Sequence, residues 1–156
     1  MMISIAVSGQ DRFLEPFGQV FTDAANENKK VFLVFGHGHC SWCRLLERYH
    51  DSPEVKEILE AEFIIYKIDI LESKPGRKLF DHYKLGGTPA WMIFSPAKVL
   101  LSDGRDTEGN IIGYPFKPSE IELYLATIRE TAPGIKEQDL RLLEEQLKFF
   151  GNRRGE

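Results

Sequence analysis

Apolar positions along this chain follow two different periods. Phe17, Val20, Phe21, Ala24 and Ala25 recur at the spacing of a helix with one buried face, and the polar, basic NENKK that follows suits a helix C-terminus. Residues 31–35, VFLVF, form an unbroken β-branched and aromatic run closed by Gly36 and Gly38, the pattern of a strand buried on both faces. Helical spacing returns after Ser41, with Leu45, Leu46 and Tyr49 on one side and Arg44, Glu47 and Arg48 on the other. Pro53 breaks that helix, and Val55, Ile58 and Leu59 carry a second piece.

Residues 63–70, FIIYKIDI, predict a second strand. Leu79, Phe80 and Tyr83 predict a helix over 74–83 that the glycines of LGG bring to an end. Residues 90–94, AWMIF, predict a third strand. The turn-rich SDGRDTEGN between residues 99–101 and IIGY predicts a hairpin with a long loop. In KPSEIELYLATIRE, Ser119 is the expected N-cap and Ile121, Leu125 and Ile128 the buried stripe. A last helix over 136–150 carries Leu140, Leu143, Leu147 and Phe150 on one side. Strands alternating with helices before an apparent hairpin imply an α/β fold, a mixed sheet with helices on both faces.

Composition narrows the function classes. At 156 residues, 42% hydrophobic and 28% charged, the chain has the makeup of one globular domain that buries its core without needing a covalent staple. No apolar run is long enough for a membrane span, and a net charge of −4 with no block of like sign disfavours nucleic acid as a partner. The opening MMISIAVSGQDRF lacks a basic flank and a long apolar run, so the chain as given reads as cytoplasmic. A trimmed export signal would make it periplasmic or exported. A monomer is expected.

The chemistry concentrates in GHGHCSWCRLLER, residues 36–48, which holds both cysteines, Cys40 and Cys43, three positions apart. A cysteine where a buried strand meets a helix N-terminus lies among free backbone N–H groups and the positive end of the helix dipole, which favour thiolate over thiol. Cys43, one turn on, faces the same side within reach of the first sulfur. One thiol is thus set to attack and the other to resolve.

KKVFLVFGHGHCSWCRLLER followed by GGTPAWMIF resembles the thioredoxin superfamily over roughly residues 15–131. It is more similar to the small thioredoxin-like domains of bacteria than to a housekeeping thioredoxin. The resemblance implies a thioredoxin-like central sheet; the pattern along the chain marks one domain over 12–131, with residues 132–156, beyond the resemblance, as a C-terminal helical extension and tail. It implies a thiol-disulfide oxidoreductase acting on protein or small-molecule disulfides and needing a redox partner to recycle it, with no organic cofactor. By the same resemblance Pro89 is a cis-proline and Thr88 offers backbone groups to an extended substrate. Trp42, between the cysteines, covers the disulfide or contacts substrate.

Two positions depart from the family pattern. Val34 stands where thioredoxins usually carry an acidic residue in the strand before the motif, and His39 stands where Trp commonly precedes the first cysteine. A partly protonated His39 would stabilise the Cys40 thiolate, tune its pKa and raise the reduction potential. Asp69, late in the second strand, reads as a turn-proximal polar residue or as an acid near the resolving thiol. Tyr49, His50, His82 and Tyr83 read as surface or core residues without chemistry.

Other classes of function compete with exchange. His37, His39, Cys40 and Cys43 spell H-x-H-C-x-x-C, residue types that suit zinc or copper in a metal-binding module or carrier. A redox-inactive thioredoxin-fold binding protein is a further alternative. The leucine stripe of the last helix fits docking on the parent domain or a contact with a partner.

Overall fold

The computed structural model describes residues 9–154. Four strands, β1 (Lys30–Gly36), β2 (Phe63–Asp69), β3 (Ala90–Phe94) and β4 (Leu100–Ser102), form one sheet in the order β2-β1-β3-β4. β1 and β2 run parallel, whereas β3 runs antiparallel to β1 and β4 antiparallel to β3. The helices are α1 (Gly9–Leu14), α2 (Gly18–Glu27), α3 (Ser41–Asp51), α4 (Pro53–Glu60), α5 (Lys74–His82), α6 (Pro118–Thr131) and α7 (Glu137–Asn152).

The period-two geometry of a strand sorts the apolar run of β1 onto two faces. Val31, Leu33 and Phe35 pack with Met92 and Phe94 of β3 against Leu14, Phe17, Phe21, Leu79 and Phe80, on the side of α1, α2 and α5. Phe32 packs with Phe63, Trp91 and Ile93 against Leu46, Tyr49, Val55, Tyr124 and Ile128, on the side of α3, α4 and α6. Burying one such large side chain is worth about 1.5–3 kcal/mol, and truncating Phe32 to Ala would cost about 3–5 kcal/mol through the cavity it leaves. The uninterrupted hydrophobicity of β1 is the signature of a central strand covered on both sides.

α7 joins the second of these clusters. Leu140, Leu143 and Leu147 are buried with Tyr49 and Tyr124. Two phenols anchor it, the Tyr49 hydroxyl donating to the Leu143 carbonyl at 3.1 Å and the Tyr114 hydroxyl to the Leu147 carbonyl at 2.6 Å. The last helix is docked on the parent fold.

Two local expectations need correction. The hairpin pairs β3 with β4, not residues 99–101 with IIGY, because Leu100 and Ser102 register against Phe94 and Ile93. IIGY stays outside the sheet, and the isolated bridge between Ile111 and Arg105 joins it to the preceding loop and not to a strand. Arg105 fixes that loop instead, donating to the carbonyls of Tyr83 and Lys84 at 2.9 and 3.1 Å.

Ser119 is not the N-cap of α6. Lys117 holds that place, with Pro118 in the first turn, and the Glu120 carboxylate accepts from the Lys117 N–H at 2.8 Å. α1 is an element that the hydrophobic pattern does not announce. A ring stack between its Phe13 and His82 of α5, 4.0 Å between centroids, secures it.

Candidate active site

β1 ends at Gly36 directly behind the second cysteine. A Cβ on Gly36 would lie 3.1 Å from the Cys43 sulfur, so the strand approaches that closely only because the position is glycine. The chain then turns, with the Cys40 N–H donating to the His37 carbonyl at 3.3 Å and the Arg44 guanidinium bracing the Gly38 carbonyl at 2.9 Å. Cys40 is the N-cap of α3, and its sulfur accepts from the Cys43 N–H at 3.2 Å. Cys40 and Cys43 are disulfide bonded, with Cα atoms 5.2 Å apart. Both are half-buried.

Across the fold the Thr88–Pro89 peptide bond is cis. The Thr88 hydroxyl donates to the Cys40 sulfur at 3.5 Å, and the Thr88 carbonyl oxygen lies 3.6 Å from the same sulfur. The segment misread as a strand closes on this point. Gly113, at φ 65°, adopts a conformation that favours glycine, and a Cβ there would crowd the Pro89 carbonyl oxygen at 3.1 Å. Its own carbonyl accepts from the Trp91 indole N–H at 2.9 Å. Tight packing at Gly113 therefore ties residues 111–114 to the cis bond.

Two recesses flank the disulfide. In front, a groove of about 330 Å³ runs between Trp42, Thr88, Pro89, Gly113, Tyr114 and Phe116. Trp42, 37% exposed, has its ring centroid 5.8 Å from that of Tyr114 and 5.7 Å from that of Phe116. The Arg154 guanidinium, just past α7, caps the cluster at 4.5 Å from Phe116 and 5.6 Å from Trp42. Of the residues gathered here, sequence reading singled out Trp42, Thr88 and Pro89 but not Tyr114, Phe116 and Arg154, which carry no local signal.

Behind the disulfide a cavity of about 320 Å³ is lined by Val34, Gly36, Cys43, Glu47, His50 and Lys67, among others. His50 is 3% exposed. Burial pushes its imidazole down from the ordinary 6.5 to about 4, helped by the positive charge of Lys67 and opposed by Asp51. Lys67 bridges to Glu47 at 3.3 Å and to Asp51 at 3.2 Å, with all three side chains about half exposed. Asp69 borders the same cavity, but its carboxylate accepts from the N–H groups of Leu71 and Glu72 at 2.8 and 3.1 Å, the role of a turn residue.

The four residues of the H-x-H-C-x-x-C string do not converge. Among the described residues no group of three or more His, Cys, Asp or Glu side chains is placed to hold a metal ion. His37 Nδ1 accepts from the His39 N–H at 3.2 Å, while the two imidazoles sit 6.3 Å apart, so the metal-carrier alternative lacks an assembled ligand set. His39 is exposed beside Cys40. Among the described residues no helix is long and apolar enough to cross a membrane.

Comparison with known proteins agrees with this geometry. A family model named Thioredox_DsbH, described as a protein of unknown function, DUF255, matches residues 14–83. An uncharacterized protein of Caenorhabditis elegans is 27% identical over 111 residues, 64% of this chain and 15% of that protein. Human spermatogenesis-associated protein 20 is 36% identical over 56 residues, 35% of this chain and 7% of that protein. The chain thus spans only a small part of the length of these curated relatives. The solution structure of a thioredoxin from Thermus thermophilus superposes with a TM-score of 0.51 at 18% identity, covering 76% of this chain and 85% of that one.

Proposed function

We propose that this chain, whose fold is thioredoxin-like, is a thiol-disulfide oxidoreductase that exchanges its Cys40–Cys43 couple with a protein or small-molecule disulfide or dithiol. One observation carries the reading. A half-buried sulfur caps a helix N-terminus, is bonded to a second sulfur one turn away, and sits beside a cis-proline with a carbonyl at hand.

In the reductive direction the Cys40 thiolate attacks one sulfur of a substrate disulfide. A mixed disulfide forms and the first substrate thiolate leaves. The Cys43 thiolate then attacks the Cys40 sulfur, forming the internal disulfide and releasing the second substrate thiolate. Two electrons pass from protein to substrate, and the oxidative direction reverses each step.

The residues divide this work. The Cys43 N–H, 3.2 Å from the Cys40 sulfur, and the dipole of α3 stabilise the attacking thiolate. Thr88 and Pro89 receive the substrate backbone, and Trp42 with Tyr114 and Phe116 covers the residues flanking its cysteine. His39, exposed and adjacent to Cys40, tunes the couple.

The test is equilibration of the reduced protein with glutathione buffers of known ratio, together with alkylation of Cys40 as a function of pH. The expected result is a reversible two-electron couple and alkylation that begins below the ordinary cysteine value of about 8.5. A pair that stays in one state across all buffers would leave only a binding role for the fold.

A further inference from the structure

Charge is unevenly placed on this molecule. The whole chain carries a net −4, yet cations gather at the front groove. Lys117 and Glu120 line it, and the Glu120 carboxylate already accepts from the N–H groups of Lys117 and Phe116 at 2.8 and 3.4 Å. The Arg154 guanidinium stands at the groove's edge, over the rings of Phe116 and Trp42. Beside Trp42, the N-terminus of α3 adds the positive end of a helix dipole.

Arg154 differs from other cations of the surface in its partners. Lys67 pairs with Glu47 and Asp51, Arg77 with Asp81, Arg129 with Glu137 and Lys148 with Glu144. Arg154 is exposed, and among the described residues its partners are two aromatic rings and no carboxylate. A guanidinium carries five N–H donors in a planar fork that fits a carboxylate by two-point contact. Contact with the rings engages its charge and leaves that fork unfilled. The rings also hold the long side chain in one place, so a docking carboxylate has less left to order.

Position decides what such a carboxylate belongs to. Trp42 and Phe116, the rings under Arg154, are walls of the groove that also contains Thr88 and Pro89. A substrate side chain flanking the reactive cysteine comes to lie on those walls, near the guanidinium over them. Arg154 belongs to the stretch 132–156, which the resemblance to thioredoxins does not reach, so this cation is added to the fold by the C-terminal extension.

Resting on the exchange reading above, we propose that Arg154 is a specificity-determining residue that gives the front groove a carboxylate subsite, and that the favoured substrates are peptide disulfides with an acidic residue beside the reactive cysteine. Arg154 takes no part in the exchange of bonds. It acts on encounter and docking, where a charge at the rim changes the association rate and its dependence on salt. The Cys40 thiolate repels an incoming carboxylate, so a preference for acidic peptides requires a nearby cation that outweighs the sulfur.

Peptides with one cysteine flanked on both sides by Glu, Gln or Lys, each activated as the 2-thiopyridyl mixed disulfide, supply the test. The Cys40 thiolate of the reduced protein attacks the peptide sulfur, and pyridine-2-thiolate leaves and is followed by its absorbance. Each rate is divided by that of dithiothreitol with the same peptide, which removes differences in intrinsic reactivity. Wild type is expected to favour Glu over Lys about tenfold at low salt, with the ratio falling toward one at about 1 M salt, where charges are screened beyond about 3 Å. Arg154→Gln should cut the ratio about fivefold, and Arg154→Glu should invert it, which the loss of a merely structural contact would not do. Lys78→Gln removes the same charge from an exposed position on α5, across the sheet, and should leave the ratio within about twofold.

A wild-type ratio near one, or an Arg154→Gln ratio equal to wild type, overturns the proposal. An equal loss in Lys78→Gln overturns it as well, since the protein's overall charge would then suffice. A wild-type protein that releases pyridine-2-thiolate neither from the peptides nor from uncharged 2,2′-dithiodipyridine defeats the exchange reading itself, a distinguishable failure.

Discussion

The two recesses beside the disulfide differ in what their walls are made of. The front groove is aromatic, with rings from α3 and from the loop before α6, and its one carboxylate, Glu120, is engaged by the Lys117 N–H. The rear cavity is ionic at its mouth and holds a buried imidazole at its base. Exposed apolar rings such as Trp42 and Phe116 suit the contact of a passing chain, whereas the charged groups at the rear keep that side polar. The disulfide thus stands between an aromatic face and an ionic one, and the Cys43 residue lines the second.

That division makes graded predictions. The largest effect is expected from the sulfurs themselves. Cys40→Ser should abolish exchange, while Cys43→Ser should keep alkylation at Cys40 and accumulate mixed disulfide, visible by mass spectrometry. If the two serine variants behaved alike, the faces would not be distinct.

Next comes acid sensitivity from the rear. The unfolded chain binds a proton on histidine near 6.5, and folded His50 does not until about 4, so stability is unaffected above the first value and falls as pH drops between the two. The full loss is about 3 kcal/mol. Denaturant titrations at pH 7 and near pH 4.5 should show it, with the slope flattened in His50→Phe.

Smaller again, Trp42→Ala should slow reaction with a peptide disulfide by about tenfold, about 1.4 kcal/mol, while barely changing reaction with glutathione disulfide. Equal slowing of both substrates would mean that the ring shields the disulfide and recognises nothing. The smallest effect belongs to His39→Ala. Removing the imidazole beside Cys40 is expected to lower the potential, by no more than about 20 mV because the side chain is solvent-exposed and screened.

What could be read in advance, and what could not, follows from the range of each interaction. VFLVF and AWMIF announced central strands because burial on both faces is written in consecutive residues. The glycine-rich approach and paired cysteines gave the strand-to-helix junction for the same local reason, and the resemblance supplied Pro89. Tyr114 and Phe116 were hidden because their partner Trp42 lies about seventy residues away and the glycine between two apolar neighbours imitated a strand. β4 was paired wrongly since three exposed or half-exposed residues carry little pattern, and the long turn-rich loop was the stronger signal. His50 looked inert because its surroundings come from Lys67 on a separate strand.

The phenol of Tyr114 hangs from the backbone of α7 at Leu147, and Phe116 leans on Gly151, where a Cβ would come within 3.1 Å of its ring. During synthesis, then, the cysteines leave the ribosome about a hundred residues before the helix that holds up their aromatic wall, and at about 5–20 residues per second that is an interval of seconds. A nascent chain caught in that interval would carry its sulfurs without the surface that selects their visitors.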